Sequence, residues 1–163
     1  MPDMLVRLDV LADGRAERAA LRCAGIVVRR IAAYEAGVLR AFVAGAFSDG
    51  WADEAQRCFV HQPPSCFVAV SEGKIVGFAV HECTRRGFFG PMGVDPGFRG
   101  RGVGMALLLT SLAAMRDLDY KYAVIGWVGP QGFYERHAGA KVIEGSEYSI
   151  GPDWLLPVRP ESR

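Results

Sequence analysis

The sequence predicts a single-domain α/β protein, in which one mixed β-sheet carries helices on both faces. At 163 residues the chain is long enough for one domain with a sizeable core. Segments rich in β-branched residues alternate with segments of helical period, and no linker, repeat or low-complexity tract divides them. We therefore expect one domain over residues 1–163, with residues 1–24 as an optional N-terminal extension.

The N-terminal part predicts a strand, a helix and a second strand. Met4–Val10 alternates apolar and polar side chains in the manner of a short strand. Ala16–Cys23 is rich in alanine, arginine and leucine, which favour a helix, and Gly25 is typical of a helix end. Ile26–Ile31 is β-branched and follows this glycine, so we predict a strand there.

Two helices and a hairpin are predicted next. Ala33–Phe47 has apolar residues close to helical period, and Trp51–Val60 has the pattern of a second, amphipathic helix. Cys66–Val70 and Lys74–His81 are predicted as strands, because Glu72-Gly73 between them is a favourable hairpin turn.

The second half of the chain alternates strands and helices. The predicted strands are Phe88–Val94, Tyr122–Trp127, Lys141–Ile143 and Tyr148–Ile150. The predicted helices are Val103–Met115 and Gln131–His137. The first of these helices is apolar almost all the way round, which indicates that it is buried.

The overall charge and the distribution of apolar residues favour neither a nucleic-acid partner nor a membrane. The formal net charge is +1, from 19 basic and 18 acidic residues. This balance gives no reason to expect nucleic acid or an anionic membrane as the partner. No apolar run approaches the roughly 20 residues that span a bilayer. The first fourteen residues contain several charged side chains, unlike the apolar region of a signal peptide, so we expect a cytoplasmic protein.

The cysteines predict neither a disulfide framework nor a metal site. Cys23, Cys58, Cys66 and Cys83 form no Cys-x-x-Cys pair, and they are too few to staple a small secreted scaffold. His61 lies near Cys66 in sequence without the spacing of zinc ligands. We expect reduced, mostly buried thiols and no metal.

A glycine-rich loop before the buried helix is the strongest chemical signal. It contains Arg99, Gly100, Arg101, Gly102, Val103 and Gly104. Glycines permit tight turns and close approach of a ligand, and the unpaired amides of a helix start carry about half a positive charge. These features predict a phosphate or pyrophosphate site, to which the arginines add charge. The alternative interpretation is a purely structural turn at a strand-to-helix corner.

Two common phosphate-binding loops are excluded. A Walker loop needs a lysine followed by serine or threonine after its last glycine, and no lysine follows Gly104. A dinucleotide-binding loop needs its final glycine where Met105 stands, and it belongs to an early βαβ unit. The phosphate ligand therefore belongs to another class.

The strand Phe88–Val94 has an unusual composition for the middle of a sheet. It contains Gly90, Pro91 and Gly93. A proline removes a ladder hydrogen bond from a central strand. A β-bulge accommodates it, because a bulge leaves backbone groups unpaired. A kinked edge strand is the alternative.

Two motifs resemble those of the GNAT superfamily of N-acetyltransferases. Arg99-x-x-Gly102-x-Gly104, which follows Val94-Asp95-Pro96, looks like the family's acyl-CoA signature. Phe133-Tyr134-Glu135-Arg136 is similar to its Phe-Tyr-Glu-Lys stretch, and the resemblance covers roughly Ile26–Ile150. It implies a GNAT-like sheet whose central strands splay at the bulge. It also implies acetyl-CoA as co-substrate and direct transfer of the acetyl group to a primary amine.

The resemblance also implies roles for individual residues. Backbone amides on the bulged strand would polarise the thioester carbonyl, and Tyr134 would return a proton to the departing thiolate. Trp127 and Pro130 stand where the family often has asparagine and alanine beside the pantetheine arm. The expected acetyl-CoA contacts are Met92, Gly93, Val94, the loop residues 99–104, Trp127, Pro130 and Phe133.

The acceptor side is less defined by the sequence. His81 and Glu82 lie on opposite faces of a strand end, so at most one of them points into a cleft, and a water chain is an alternative base. We expect Glu82 and Trp51 to contact the acceptor, with a solvated strand end and a core tryptophan as the alternatives. We expect the acceptor to be an amine of a small molecule or peptide. The sequence does not determine the oligomeric state, and a homodimer is one of the alternatives.

Two other functions fit parts of the sequence. A non-catalytic acyl-CoA-binding or sensor protein of the same fold would keep the phosphate loop and dispense with Tyr134. A protein-interaction module with a structural glycine turn would show no thermal shift with CoA.

Overall fold

In the computed structural model, residues 1–147 are described, and seven strands among them form one mixed sheet. The strands are β1 (Met4–Arg7), β2 (Ile26–Arg30), β3 (Cys66–Ser71), β4 (Lys74–His81), β5 (Phe88–Val94), β6 (Tyr122–Ile125) and β7 (Lys141–Val142). The helices are α1 (Arg15–Cys23), α2 (Ala36–Ala46), α3 (Asp49–Gln56), α4 (Val103–Asp117) and α5 (Gln131–Ala138). The strand order is β2-β3-β4-β5-β6-β1-β7, and every neighbouring pair is antiparallel except β5 and β6.

The predicted order of elements is confirmed, and the differences lie at element ends. The helices predicted over 33–47 and 51–60 include 3₁₀ turns, at Ala33–Glu35 and Arg57–Val60. β6 ends at Ile125 because the backbone of Trp127 has φ 52°, which is incompatible with an extended strand. The strand predicted at Tyr148–Ile150 lies outside the described residues.

The N-terminal segment is an integral part of the sheet. β1 lies between β6 and β7, and the side chains of Met4 and Val6 are fully buried. α1 is tied to α4, because the Arg18 guanidinium donates a hydrogen bond of 2.9 Å to the Thr110 hydroxyl. Residues 1–24 thus complete the fold rather than extend from it.

Helices cover both faces of the sheet, as the sequence predicts. α1, α4 and α5 pack on one face, where Leu107, Leu108 and Met115 of α4 are fully buried. α2 and α3 pack on the other face through residues such as Leu39 and Val43. Burial of each of these large apolar side chains contributes about 1.5–3 kcal/mol to the hydrophobic free energy of folding.

The bulge predicted in β5 is present. The register between β4 and β5 shifts between Ala79 and His81. At this point Gly90 and Pro91 lie together opposite Val80, which is the two-against-one arrangement of a β-bulge. The proline is thereby accommodated in a central strand without a regular ladder bond.

β5 and β6 separate beyond the bulge. They pair in parallel at Phe88 and Phe89 only, and the last partner on β6 is Ile125. From Met92 to Val94, β5 is paired with β4 alone in the described part of the chain. The two central strands therefore splay, and the gap between them becomes the site.

Candidate functional site

A cleft of about 950 Å³ opens where β5 and β6 part. It runs from the glycine loop before α4 to α5 and the residues that follow β6. Most of the predicted site residues line it, namely Trp51, Met92, Gly93, Val94, Arg99, Gly100, Gly102, Gly104, Trp127, Pro130, Phe133 and Tyr134. The fold thus brings together residues that are far apart in the sequence.

The bulged strand presents backbone amides to this cleft. The backbone amide of Asp95 donates a hydrogen bond of 2.9 Å to the carbonyl of Val76 on β4. Because hydrogen-bonded and non-bonded pairs alternate in an antiparallel ladder, the amide of Gly93 also faces β4, whereas those of Met92 and Val94 face away from it. The Val94 carbonyl confirms this direction, since it accepts a bond of 3.1 Å from Arg99 Nε. Two N–H groups therefore point toward the gap.

The glycine loop leads directly into the N-terminus of α4. Gly100 and Gly102 have φ 73° and 83°, in the left-handed region that only glycine occupies readily. Gly102 is the residue that caps α4, so the unpaired amides of the first turn lie beside the cleft. With the Arg99 side chain nearby, this end of the cleft suits an anion.

Two residues of the loop do not bring their side chains to the cleft. The Arg101 guanidinium lies 5.1 Å from the centroid of the Phe98 ring. The Val103 side chain is 1% exposed and belongs to the core beneath α4. Any contact of Val103 with a phosphate is therefore limited to its backbone amide, and Arg101 contributes charge at a distance.

Tyr134 lies on α5 with its side chain 7% exposed at the cleft wall. Its ring meets those of Phe133 and Phe89 edge-on, with centroids 5.1 and 6.4 Å away. Burial raises the pKa of Tyr134 to about 12. The phenol therefore keeps its proton at neutral pH, as a general acid must.

The segment after β6 forms the opposite wall. Trp127 is 53% exposed, and its amide donates a bond of 2.9 Å to the Asp3 carboxylate. This bond from the N-terminal segment holds the left-handed backbone of Trp127 in place. Phe133 lies against the start of α4, where a Cβ on Gly104 would stand 3.5 Å from its ring.

Two aromatic side chains, Phe47 and Trp51, close the cleft near the bulge on the face of the sheet that α2 and α3 cover. Trp51 stacks on Phe47 with centroids 5.5 Å apart. The Phe47 ring sits directly over Gly93, since a Cβ built there would lie 2.3 Å from Phe47 Cζ. Gly93 therefore serves close packing with an aromatic ring, while its neighbours supply the amides.

Glu82 and His81 do not line this cleft. The Glu82 carboxylate accepts bonds from the Gly87 amide at 2.6 Å and the Tyr120 hydroxyl at 2.9 Å, which close the β4–β5 loop. Burial lowers the pKa of His81 to about 4, so this side chain is neutral at pH 7. The Glu82 carboxylate is thus engaged by other parts of the chain, and its contact with an acceptor stays a prediction.

Sequence reasoning missed several residues that line the cleft. They are Met1, Phe89, Gly90, Pro91, Met105, Ile125, Gly126, Gly129, Arg136 and His137. Arg136 is the one with a usable signal, because it belongs to the Phe-Tyr-Glu-Arg stretch. Met1 reaches the cleft only through long-range packing, which no local sequence pattern indicates.

Neither a metal-binding cluster nor a membrane-spanning helix is found among the described residues. Within residues 1–147, no group of three or more His, Cys, Asp or Glu side chains is placed to hold a metal ion. In the same part of the chain, no helix combines the length and apolar character needed to cross a bilayer.

Solved structures share this fold. The glucosamine N-acetyltransferase region of a fungal multi-domain β-N-acetylglucosaminidase aligns at 19% identity with a TM-score of 0.70, over 87% of this chain and 19% of that one. An N-acetyltransferase from Sphaerobacter thermophilus aligns at 23% identity with a TM-score of 0.67, over 87% of this chain and 48% of that one. This chain therefore spans less than half the length of either protein.

A third structure is closer in length. A GNAT family acetyltransferase from Brucella melitensis, solved in complex with acetyl-CoA, aligns at 20% identity with a TM-score of 0.55, over 80% of this chain and 91% of that one. No curated protein matches the sequence. The sequence model of the acetyltransferase (GNAT) family matches residues 32–140, which include β5, the glycine loop, α4 and Tyr134. The chain therefore belongs to the GNAT acetyltransferase family.

Proposed function

We propose that this protein transfers an acetyl group from acetyl-CoA to a primary amine. The observation that carries the proposal is the pair of amides on Met92 and Val94, which face a gap between splayed strands. Such preorganised donors stabilise the negative charge that develops on a carbonyl oxygen during acyl transfer. The acetyl-CoA complex of the Brucella melitensis relative supports the choice of donor.

The cleft has the parts that acetyl-CoA requires. The pyrophosphate would lie on the unpaired amides at the start of α4, beside Gly102, Gly104 and Arg99. The pantetheine arm would extend along β5, with Trp127, Pro130 and Phe133 as the opposite wall. The arm would occupy the gap between β5 and β6, and the thioester would lie where the amides of Met92 and Val94 face that gap. In this arrangement Tyr134 lies near the sulfur.

The reaction needs no acyl-enzyme intermediate. The neutral amine attacks the thioester carbon, so that a C–N bond forms and the C–S bond breaks with its electron pair moving to sulfur. Tyr134 gives its phenolic proton to that sulfur, and the product is CoA thiol. The attacking nitrogen loses its surplus proton to solvent, and the tyrosinate regains a proton from solvent. Atoms and charge therefore balance over one cycle.

Replacement of Tyr134 by phenylalanine tests the mechanism. Tyr134→Phe keeps the ring contacts and removes the acid, so kcat for CoA release should fall about 10²–10⁴-fold. The affinity for acetyl-CoA should stay unchanged, because the proton is needed only in the transition state. Tyr120→Phe is the matched control, since its hydroxyl bonds Glu82 away from the cleft. A kcat within threefold of wild type would remove Tyr134 from the mechanism.

A non-catalytic acyl-CoA-binding protein is the alternative function. It would gain thermal stability from acetyl-CoA, because a ligand that binds only the native state raises the free energy of unfolding. It would release no CoA with any member of a broad amine panel. Stabilisation together with amine-dependent CoA release is the result expected for an acetyltransferase.

A further inference from the structure

The cleft continues past the bulge into a smaller pocket. This pocket has a volume of about 140 Å³ and lies at the end of the site remote from the glycine loop. The two cavities share Trp51, Phe89, Gly90, Pro91, Gly126 and Trp127 as lining residues. An acetyl group placed at the bulge would therefore face the small pocket directly.

The two ends of the site differ in charge. Among the described residues, the lining of the large cleft includes Arg99 and Arg136 and no carboxylate. The small pocket adds the carboxylates of Asp3 and Glu54 against the single guanidinium of Arg85, which leaves one net negative charge. One end thus suits the phosphates of CoA, and the other end suits a cation.

Glu54 is placed to act on a ligand in the small pocket. It lies on α3, three residues after Trp51, and its side chain is half-buried. The Thr84 hydroxyl donates a hydrogen bond to Glu54 Oε1, which fixes the carboxylate at the pocket wall. The Asp3 carboxylate already accepts a hydrogen bond from the backbone amide of Trp127, so its role is to position the backbone of that residue.

Aromatic side chains reinforce the preference for a cation. Trp51 and Trp127 are 39% and 53% exposed, and both line the passage between the two cavities. Tryptophan is the side chain that attracts cations most strongly through its ring. Large exposed indoles on either side of a passage are also typical of a binding site.

The chemistry of the transfer limits what kind of cation fits. The amine that attacks must be neutral, yet a lining with net negative charge opposes loss of the ligand's positive charge. An acceptor with a second cationic group satisfies both conditions, because one amine loses its proton while the other keeps its charge. The Arg85 guanidinium lies 5.8 Å from the centroid of the Phe88 ring at the same pocket.

We propose that the small pocket is the acceptor site and that it selects an aliphatic amine carrying a second, distal cationic group. Glu54 holds the distal group, and Trp51 and Trp127 enclose the chain at the bulge. This inference rests on the proposed acetyl transfer for the identity of the reacting amine. The assignment of the pocket as a cation site is independent of turnover.

Binding of three probes of similar length tests the pocket. The probes are 1,4-diaminobutane, butylamine and 4-aminobutanoate, each titrated calorimetrically into the full chain saturated with CoA. We expect 1,4-diaminobutane to bind at least about tenfold more tightly than the other two, as a charged contact of this kind does. Glu54→Gln keeps an acceptor for Thr84 and removes the charge, so it should abolish this preference.

Asp53→Asn is the matched control on the same helix. It removes the same charge from α3, but Asp53 is exposed and pairs with Arg40 at 3.0 Å on the outer surface. This variant should bind 1,4-diaminobutane as the wild type does. The series with the wild-type protein alone decides the question if the Glu54 variant fails to fold.

Each outcome has a definite meaning. Equal affinity for the three probes, tightest binding of 4-aminobutanoate, or an unchanged preference in Glu54→Gln would overturn the pocket assignment. CoA release is measured in parallel with acetyl-CoA and each probe. The diamine preference without CoA release would support the cation site and contradict the proposed acetyl transfer. CoA release without the diamine preference would support the proposed acetyl transfer and contradict the cation site.

Discussion

Gly93→Ala should destabilise the protein by driving a methyl group into the aromatic wall of the cleft. The new Cβ would lie 2.3, 2.6 and 2.8 Å from three carbons of the Phe47 ring. Carbon atoms in normal contact are about 3.5–4.0 Å apart, so the ring would have to retreat by more than about 1 Å. It is held by Trp51 and Phe78, with centroids 5.5 and 5.7 Å away.

This overpacking should cost about 1–3 kcal/mol in the free energy of unfolding. For a chain of this length, the melting temperature should fall by about 2–4 °C for each kcal/mol. Urea and thermal denaturation followed by circular dichroism measure both quantities. Gly45→Ala is the control, because Gly45 is an exposed residue of α2 with no atom within 4 Å of a new Cβ. It should be neutral or slightly stabilising.

A double-mutant cycle with Phe47→Ala separates this clash from any other cost at the same position. In the Phe47→Ala background the methyl group of Gly93→Ala meets no ring, so its cost should largely disappear. The coupling free energy should then be about 1–3 kcal/mol. An equal cost of Gly93→Ala in both backgrounds would refute the reasoning.

Three further predictions follow from local features. Gly102→Val places a β-branched residue at φ 83°, so it should cost about 1–3 kcal/mol and weaken the thermal shift produced by acetyl-CoA; an unchanged shift would place the phosphates elsewhere. Hydrogen bonds of 2.7 and 2.6 Å from Arg29 lower the pKa of Glu35 to about 2, so this pair stabilises the fold above pH 4.5 and loses its contribution as the pH falls toward 2. Glu35→Gln should therefore be less stable than wild type at pH 7, and urea denaturation near pH 2 should show a much smaller difference. Iodoacetamide should label exposed Cys23 in the native protein, whereas Cys58, Cys66 and Cys83 should react only after unfolding; mass spectrometry of labelled peptides checks this.

The fold was predictable from the sequence where local periodicity determines it. The apolar surface of α4 and the turn at Glu72-Gly73 report burial and a hairpin without knowledge of the partner segments. The end of β6 was not predictable, because Trp127 takes its left-handed backbone with the help of Asp3, which lies more than 120 residues away. Local strand propensity continues through Trp127, and only the long-range contact ends the strand.

The lining of the large cleft was predictable near the glycine loop, and the lining of the small pocket was less so. The glycine loop acts through backbone groups at fixed spacing, so its sequence carries the information. Glu82 was assigned to the acceptor from strand alternation alone, which cannot reveal that Tyr120 and Gly87 engage its carboxylate. Glu54 reaches the small pocket only because α3 packs over β5, and its own sequence context resembles that of any solvated helix.

The position of β1 has a consequence for the order in which the protein assembles during synthesis. Met4 pairs with Ile125, about 120 residues later, whereas β3 and β4 are joined by a short turn. A contact of such high sequence separation closes late, because a long loop must be ordered first. We expect the hairpin to form while the chain is still being made and the N-terminal strand to wait for β6. The contact between Asp3 and Trp127 is therefore among the last parts of the molecule to form, so we expect a nascent chain to form its glycine loop before the cleft wall at Trp127.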